Sequence, residues 1–447
     1  MRTPLSARPT APRRGRRAMT AVAAAAVSAA IATAMLVAPA TASAAADHHP
    51  DQGSSKQVIG YFTQWGIYSG FFEKNLISSG EVKHLTELDY AFSNIAPDGT
   101  CTSGDSWADF QRPFAATESV TGQADVAGQA LMGNFNQLKE LKAANPHLKI
   151  VMGIGGWSWS SQFSGLSETA AGRQKFVQSC LDQYIRGNIP GLAPGAAAGI
   201  FDGISVDWEY PNEVGNNNPH GPQDTPDFTA LIHEFRGELT TQGRADHKQY
   251  LLTADVSASP AVAAQLQLRP VARDLDWFNV MTFDFHGAWE ATGPTDFSSN
   301  TFADPRDPQA ANNTFSVTDS VRYYESQGVP ADKIGLAAPY YAHVWTGVAP
   351  GPNGDGLYQP ATAGGGTPNY NAVITAPGAV HFDWRTGEPY KYDAASGTFY
   401  TYEDPTSLAL KAFYIRAAGL RGTFVWSLDG DTSTAQLTAT LGKALGH

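Results

Sequence analysis

The sequence predicts an α/β fold, a (β/α)8 TIM barrel with a small α+β insertion between strands 7 and 8. Three observations carry that expectation. Eight short apolar, strand-like runs recur through a continuous body of about 400 residues, amphipathic helical stretches lie between many of them, and one gap, after the seventh run, is far longer than the rest. Strand and helix alternating over a single region imply a parallel sheet, and eight such units imply closure into a barrel rather than a doubly wound open sheet, the rival topology.

The runs lie at residues 58–62, 88–95, 149–154, 203–206, 250–256, 277–283, 334–338 and 422–426. Helical patterns are read at 135–143, 171–184, 228–239, 317–326 and 405–418. Nearly all of 340–406 falls between the seventh and eighth runs and is rich in Gly, Pro, Tyr and Thr. Its strand-like pieces at 379–384, 388–393 and 398–403 suggest an antiparallel meander forming one wall of a cleft, in an insertion subdomain of about residues 346–404. Residues 47–447 are expected to form one (β/α)8 barrel domain, since a short polar tail precedes the first run and about twenty residues follow the last.

Ahead of that body, Arg2, Arg8, Arg13, Arg14, Arg16 and Arg17 precede an apolar run from Ala18 to Ala38. Ala42-Ser43-Ala44 or Ala44-Ala45-Ala46 then supplies a small-residue cleavage pattern. Residues 1–46 therefore read as a secretory signal peptide, and the protein as secreted and extracellular. Arg16-Arg17 followed by Ala18-Met19 leaves the general and twin-arginine export routes both open.

The chain has 30 Lys+Arg against 42 Asp+Glu. Six of the basic residues belong to the leader and no acidic residue precedes Asp47, so the body is strongly negative. Such a surface disfavours nucleic acid and membrane partners and fits a neutral ligand. With 10 Trp, 17 Tyr and 22 Phe, some aromatic residues are expected to line a groove. Cys101, in a polar loop, and Cys180, in a helical stretch, are permitted but not required to pair in an oxidising compartment. Two isolated cysteines and His48-His49 offer no metal-site spacing, so no metal is expected. No dinucleotide or phosphate-loop fingerprint is present, so no cofactor is expected.

The chemistry-bearing stretch runs from Phe201 through Asp202, Gly203, Ile204, Ser205, Val206, Asp207, Trp208, Glu209 and Tyr210 to Pro211. Strand alternation puts Ser205, Asp207 and Glu209 on one face and Ile204, Val206 and Trp208 on the other. In a barrel the first set points inward, and Glu209 stands at the C-terminal mouth where barrel enzymes keep their chemistry. Two carboxylates so close cannot both ionise cheaply, so one holds a proton near neutral pH. Glu209 is the natural general acid, and Asp207 the deeper partner that stabilises positive charge.

Here the sequence resembles the glycoside hydrolase family 18 chitinases, whose signature Asp-Gly-x-Asp-x-Asp-Trp-Glu is matched by Asp202, Gly203, Asp207, Trp208 and Glu209. Further landmarks are Gly155-Gly156-Trp157, Met281-Thr282-Phe283-Asp284, Pro339-Tyr340-Tyr341 and Trp426-Ser427-Leu428-Asp429. The likeness covers nearly the whole body, and the insertion suits the bacterial deep-cleft branch. It implies hydrolysis of β-1,4-linked N-acetylglucosamine polymers, chitin or chitooligosaccharides, in which the substrate's own acetamido oxygen attacks and an oxazolinium intermediate returns retained configuration. Glu209 and Asp207 are then the catalytic pair. Tyr61, Trp157, Tyr210, Met281, Phe283, Asp284, Trp289, Tyr341 and Trp426 would contact substrate or support the site. Trp65, Trp159 and Trp345, which also follow strands, are further aromatic candidates.

Three positions depart from the family pattern. Ser205 replaces the innermost Asp, Gly153 replaces a Ser on strand three, and Phe283 replaces a Tyr whose hydroxyl holds the acetamido group. The first two are expected to leave Asp207 without a carboxylate beneath it, ionised and turned toward Glu209, with a shifted pH optimum. The third is expected to remove one positioning hydrogen bond. Alternative readings are a chitin-binding lectin that is weak or inactive as an enzyme, and an endo-β-N-acetylglucosaminidase acting on N-glycans. The protein is expected to be a monomer.

Overall fold

The computed structural model describes residues 56–309 and 315–447. The leader expected at residues 1–46 lies outside them.

Eight parallel strands close the barrel. They are Gln57–Thr63, Glu87–Ile95, Lys149–Gly155, Gly203–Asp207, Leu251–Ser257, Trp277–Met281, Ile334–Pro339 and Gly422–Trp426, each paired with its neighbours in sequence, and the first pairs with both the second and the eighth. A helix follows every strand before the next begins: Glu73–Ser78, Gly133–Ala144, Ala170–Cys180, Asp224–Asp246, Leu268–Asp274, Val317–Ser326, Pro405–Ala417 and Gln436–Leu445. Glu73–Ser78, Leu268–Asp274 and Gln436–Leu445 were not among the helices read from the pattern. The first two are too short to establish a period, and the third, which buries Leu437, Leu441 and Leu445 on one face, begins after Ala435, which carries no capping side chain to mark its start.

Local chemistry sets the boundaries. Thr169 caps its helix by accepting from the Gly172 amide, and Asp404 forms a capping box with Ser407 just ahead of Pro405. The sixth strand ends at Met281, two residues earlier than the apolar run suggested. Thr282 Oγ1 accepts from Ala337 N at 2.9 Å and donates to Ala337 O at 3.1 Å, so a side chain takes over ladder bonds and the backbone is free to turn toward Phe283 and Asp284.

Alternation divides the apolar residues into two sets. Ile204, Val206 and Trp208 face the helices, where Trp208 stacks on Phe163 at 5.1 Å and meets Phe228 edge-on at 6.0 Å. Burying that indole contributes on the order of 3–5 kcal/mol. Inside the barrel Ile59, Tyr61, Phe92, Trp277 and Phe424 fill the floor, with Met281, Phe283 and Trp426 partly buried above them.

Between the seventh and eighth strands lies a five-stranded antiparallel sheet ordered Ala363–Gly364, His343–Thr346, Thr398–Thr401, Glu388–Asp393 and Ala379–Asp383. The last three are the meander expected from sequence. The other two were not read because one has only two residues and the other begins just after the seventh strand. The sheet has its own core around Trp345, Tyr390, Tyr392 and Phe399. It is fastened to the barrel by the buried Lys411–Glu403 ion pair at 2.5 Å, with Lys411 Nζ also donating to Ser299 Oγ at 2.7 Å.

The question left open by Cys101 and Cys180 is answered by a disulfide between them, with Cα atoms 5.0 Å apart. It ties the short strand Cys101–Ser103 to the helix Ala170–Cys180.

Candidate active site

The fourth strand delivers Ser205 and Asp207 to the barrel interior and stops at Asp207. Gly155 is required beside it: φ there is +101°, and a Cβ would lie 2.3 Å from Asp207 O. Ser160 Oγ donates to the same carbonyl at 2.9 Å, which fixes the strand end. Glu209, two residues on, has a left-handed backbone with φ +44°, a conformation costing roughly 1–2 kcal/mol for a residue with a Cβ. Simple strand alternation therefore describes Ser205 and Asp207 but not Glu209, whose place depends on the turn.

The floor of the site corrects one expectation. Ser205 was expected to leave Asp207 with no carboxylate beneath it, yet a carboxylate is present, supplied by Asp255 of the neighbouring fifth strand. Ser205 Oγ donates to Asp255 Oδ2 at 2.8 Å, and the Tyr61 hydroxyl donates to Asp255 Oδ1. Asn279 Nδ2 in turn donates to the Tyr61 hydroxyl at 3.3 Å. Burial raises Asp255 to about 6, with the hydrogen bonds from Tyr61, Ser205 and Asn279 holding it back from a larger rise. Asp207 is accordingly not an isolated anion: burial, then the charges of Glu209 and Asp255, push it well above the ordinary carboxyl range. Burial and Asp255 push Glu209 up to about 8. The three carboxyls thus share fewer than three charges at neutral pH, and Glu209 is the member nearest solvent that holds a proton.

Sequence reasoning missed Asp255. Its signal was legible, because Leu251–Ser257 alternates so that Thr253, Asp255 and Ser257 share one face, and an Asp in the middle of an otherwise apolar strand needs an explanation. Below it Glu87 and Asp89 are also buried, and burial lifts Asp89 to about 8.

The second departure, Gly153, has a steric reason. A Cβ there would approach Phe92 Cδ1 at 2.8 Å, and Phe92 stacks under Trp426 at 5.6 Å with 19° between planes. An aromatic ring occupies the space a serine would use. Phe283, the third departure, packs edge-on against Tyr341 and Phe424, both at 6.1 Å, and brings no hydroxyl. The Tyr341 ring beside it does carry a hydroxyl. Tyr341 donates to Asp284 Oδ1 at 2.6 Å, and His343 Nε2 shares that oxygen at 2.7 Å. Burial, and then the charges of Glu209, Asp207 and Asp284, raise the Tyr210 phenol well above the usual range.

Around the mouth, Trp157 and Trp289 are 51% and 59% exposed, far more than packing indoles are. Trp289 rests edge-on against His343 at 5.0 Å. Trp426 is held from below by Tyr61 at 5.5 Å and flanked by the exposed Trp65 at 6.3 Å. Trp159 packs into the barrel's interior cluster. Trp345 is not a groove residue. It is fully buried in the inserted sheet and donates Nε1 to Glu290 O at 2.9 Å, because the strand it belongs to begins that sheet. Asp202, part of the signature, lies at the opposite end of its strand and pairs with Lys142 and Lys248, both at 2.6 Å, so its role is structural.

Fold and mouth together define a barrel of the kind that keeps its chemistry on loops beyond the C-terminal strand ends. The model of the glycosyl hydrolases family 18 matches residues 57–431, and the chain belongs to that family. It is 34% identical over 391 residues to chitinase C of Streptomyces lividans, covering 85% of this chain and 58% of that protein. It is 32% identical over 442 residues to chitinase A1 of Niallia circulans, covering 88% and 58%. Among solved structures, the catalytic domain of the psychrophilic chitinase B from Arthrobacter TAD20 superposes with a TM-score of 0.83 at 36% identity, covering 88% of this chain and 95% of that one. The chain spans about three fifths of the length of the two curated relatives. Among the described residues no helix is long and apolar enough to cross a membrane.

Proposed function

We propose that the protein is a secreted chitinase that cleaves β-1,4-linked N-acetylglucosamine chains with retention, using the substrate's acetamido group as nucleophile. The observation that carries this reading is the carboxyl ladder Asp255, Asp207 and Glu209, in which the outermost member is raised to about 8 and is a proton donor at neutral pH. Family membership and the chitinase relatives support the substrate class. Both carboxyls of the acid pair come from one strand end. Asp207 is therefore poorly placed to attack the opposite face of the sugar ring, which favours an internal nucleophile.

In the proposed cycle Glu209 gives its proton to the glycosidic oxygen as the acetamido carbonyl oxygen bonds to the anomeric carbon, and the C1–O bond to the leaving sugar breaks. Asp207 accepts a hydrogen bond from the acetamido N–H and stabilises the positive oxazolinium, while Asp255 takes up the proton that Asp207 must shed. Glu209, now anionic, removes a proton from water as its oxygen attacks C1 and the ring opens. Tyr210, Tyr341 and Asp284 orient the acetamido group where Phe283 cannot. Trp426 floors the scissile subsite, with Met281 and Tyr61 supporting it, and Trp157 and Trp289 carry the leaving-group side, apolar sugar faces packing on the indoles. The leader pattern supports export, and the neutral polymer is the partner proposed for a monomeric enzyme.

The deciding experiment is hydrolysis of N-acetylglucosamine hexamer by Glu209→Gln. Cleavage should fall at least about a thousandfold while oligomer binding persists. Retained hydrolysis, or equally fast cleavage of a de-acetylated oligomer by the unaltered protein, would refute the assignment.

A further inference from the structure

The segment after the sixth barrel strand does two things at once. It presents Asp284 and the exposed Trp289, and it buries His286, which is only 3% exposed. His286 Nδ1 lies 3.0 and 3.2 Å from the two carboxylate oxygens of Glu290. A carboxylate only accepts, so Nδ1 carries the hydrogen, and in the neutral ring Nε2 is left as a lone pair. That lone pair faces Asp296 Oδ2 at 3.8 Å, beyond hydrogen-bond distance.

Asp296 is 4% exposed. Its Oδ1 accepts from the Phe297 amide at 2.7 Å, but Oδ2 has no hydrogen-bond partner. Asp307 completes the group: one donor atom each from His286, Asp296 and Asp307 lie within 4.8 Å of one another. They line a cavity of about 20 Å³, room for a single water-sized occupant. The neighbouring Asp304 is not part of the set, since Arg306 and the Tyr358 hydroxyl already satisfy it, the latter at 2.7 Å.

Three donor groups converge on one buried hollow, and one of them is a carboxylate oxygen with no hydrogen-bond partner. We propose that His286 Nε2, Asp296 and Asp307 bind a divalent transition-metal ion of the zinc class, with water in the remaining position. Two bonds of about 2.1 Å at a tetrahedral angle span about 3.4 Å, so the donors, with Nε2 and Asp296 Oδ2 now 3.8 Å apart, would draw together by several tenths of an ångström around the ion. One imidazole with two carboxylates suits zinc better than the all-oxygen preference of calcium or magnesium. Glu290 supplies the carboxylate behind the imidazole that orients metal-binding histidines and fixes their tautomer. Local sequence spacing does not show the site because the three residues are spread over a long connection. The ion would brace the segment that carries Trp289 and whose Glu290 carbonyl holds Trp345.

The test is Zn²⁺ uptake by the full chain after chelator stripping, measured by competition with a chromophoric chelator and by metal analysis. One equivalent should bind to the wild type and raise its Tm. Affinity should fall about 10- to 100-fold in Glu290→Gln and the equivalent should be lost in Asp296→Asn and His286→Ala. Asp296→Asn keeps the side-chain volume, so it serves as the test even if the His286 variant does not fold. Absence of stoichiometric uptake by the wild type, uptake unchanged in Asp296→Asn, or uptake of Ca²⁺ in preference to Zn²⁺ would each overturn the proposal.

Discussion

Asp255 stands on a different strand from the carboxyl pair Asp207 and Glu209, and the register of the closed barrel brings it beneath them. The substitution Asp255→Asn keeps the shape and removes the charge. Above about pH 6 the wild-type group is anionic, and its charge is the second cause, after burial, of the rise of Glu209 to about 8. The parallel register that sets Val206 opposite Ala254 places Asp255 beside Asp207, one strand across from a residue two short of Glu209. One strand across (about 4.8 Å) and two residues along (about 6.6 Å) make roughly 8 Å, and at an effective dielectric constant of about 20 a unit charge at that distance is worth ~2 kcal/mol, or about 1.5 pH units. The alkaline limb of kcat/KM, which reports deprotonation of the free enzyme's acid, should therefore move from near pH 8 to between about 6 and 7. The assay is a pH profile of kcat/KM on a chromogenic N-acetylglucosamine oligomer. The double substitution Ser205→Asp with Asp255→Ala should move the limb back toward the wild-type position, because a carboxylate returns to the floor from the other strand. An alkaline limb that stays put in Asp255→Asn would refute the view that Asp255 sets the charge state above it.

Phe283→Tyr should raise kcat/KM about 2- to 10-fold, the effect of one neutral hydrogen bond of ~0.5–1.5 kcal/mol to the acetamido group; an unchanged rate on the same oligomer would mean that Tyr210 or Tyr341 already makes that bond. Glu73 is fully buried, neither of its carboxylate oxygens has a hydrogen-bond partner, and burial raises it to about 8. A raised folded pKa means that stability is full below the unfolded value near 4.5 and is lost as pH climbs to about 8, at up to ~1.4 kcal/mol per pH unit. Urea melts at pH 5 and pH 9 should thus show Glu73→Gln losing less stability on the alkaline side than the wild type, and parallel losses would count against the burial argument. Replacing Cys101 and Cys180 by Ser should lower unfolding free energy by about 4 kcal/mol, given a closed loop spanning a separation of 79 residues; melts of the two proteins under non-reducing conditions check it.

The order of the strands, most of the helices between them, the long connection after the seventh strand, and the inward place of Asp207 were legible in the chain. Each rests on short-range rules: apolar period, the two-residue alternation of a strand, and the crowding of like charges a few residues apart. The same rules sent Ser205 inward and Trp208 outward, where the structure has them. Trp345 was misread for the converse reason. Being near a barrel strand in sequence does not say which sheet a residue joins, and pairing with Thr398–Thr401 took it into the inserted core.

What no local rule could supply is the company a residue keeps across strands. Local pattern implied that a carboxyl pair would stand at a barrel mouth among aromatic residues. It did not determine that Asp255 would replace the anion missing at Ser205, that Phe92 would fill the room at Gly153, or that Cys101 would meet Cys180. Nor did it show that His286, Asp296 and Asp307 would face one hollow. Burial and Coulomb forces act through space and depend on the closed sheet's register. Only the assembled barrel decides which charges lie close enough to shift one another and which lone pairs are left without a hydrogen.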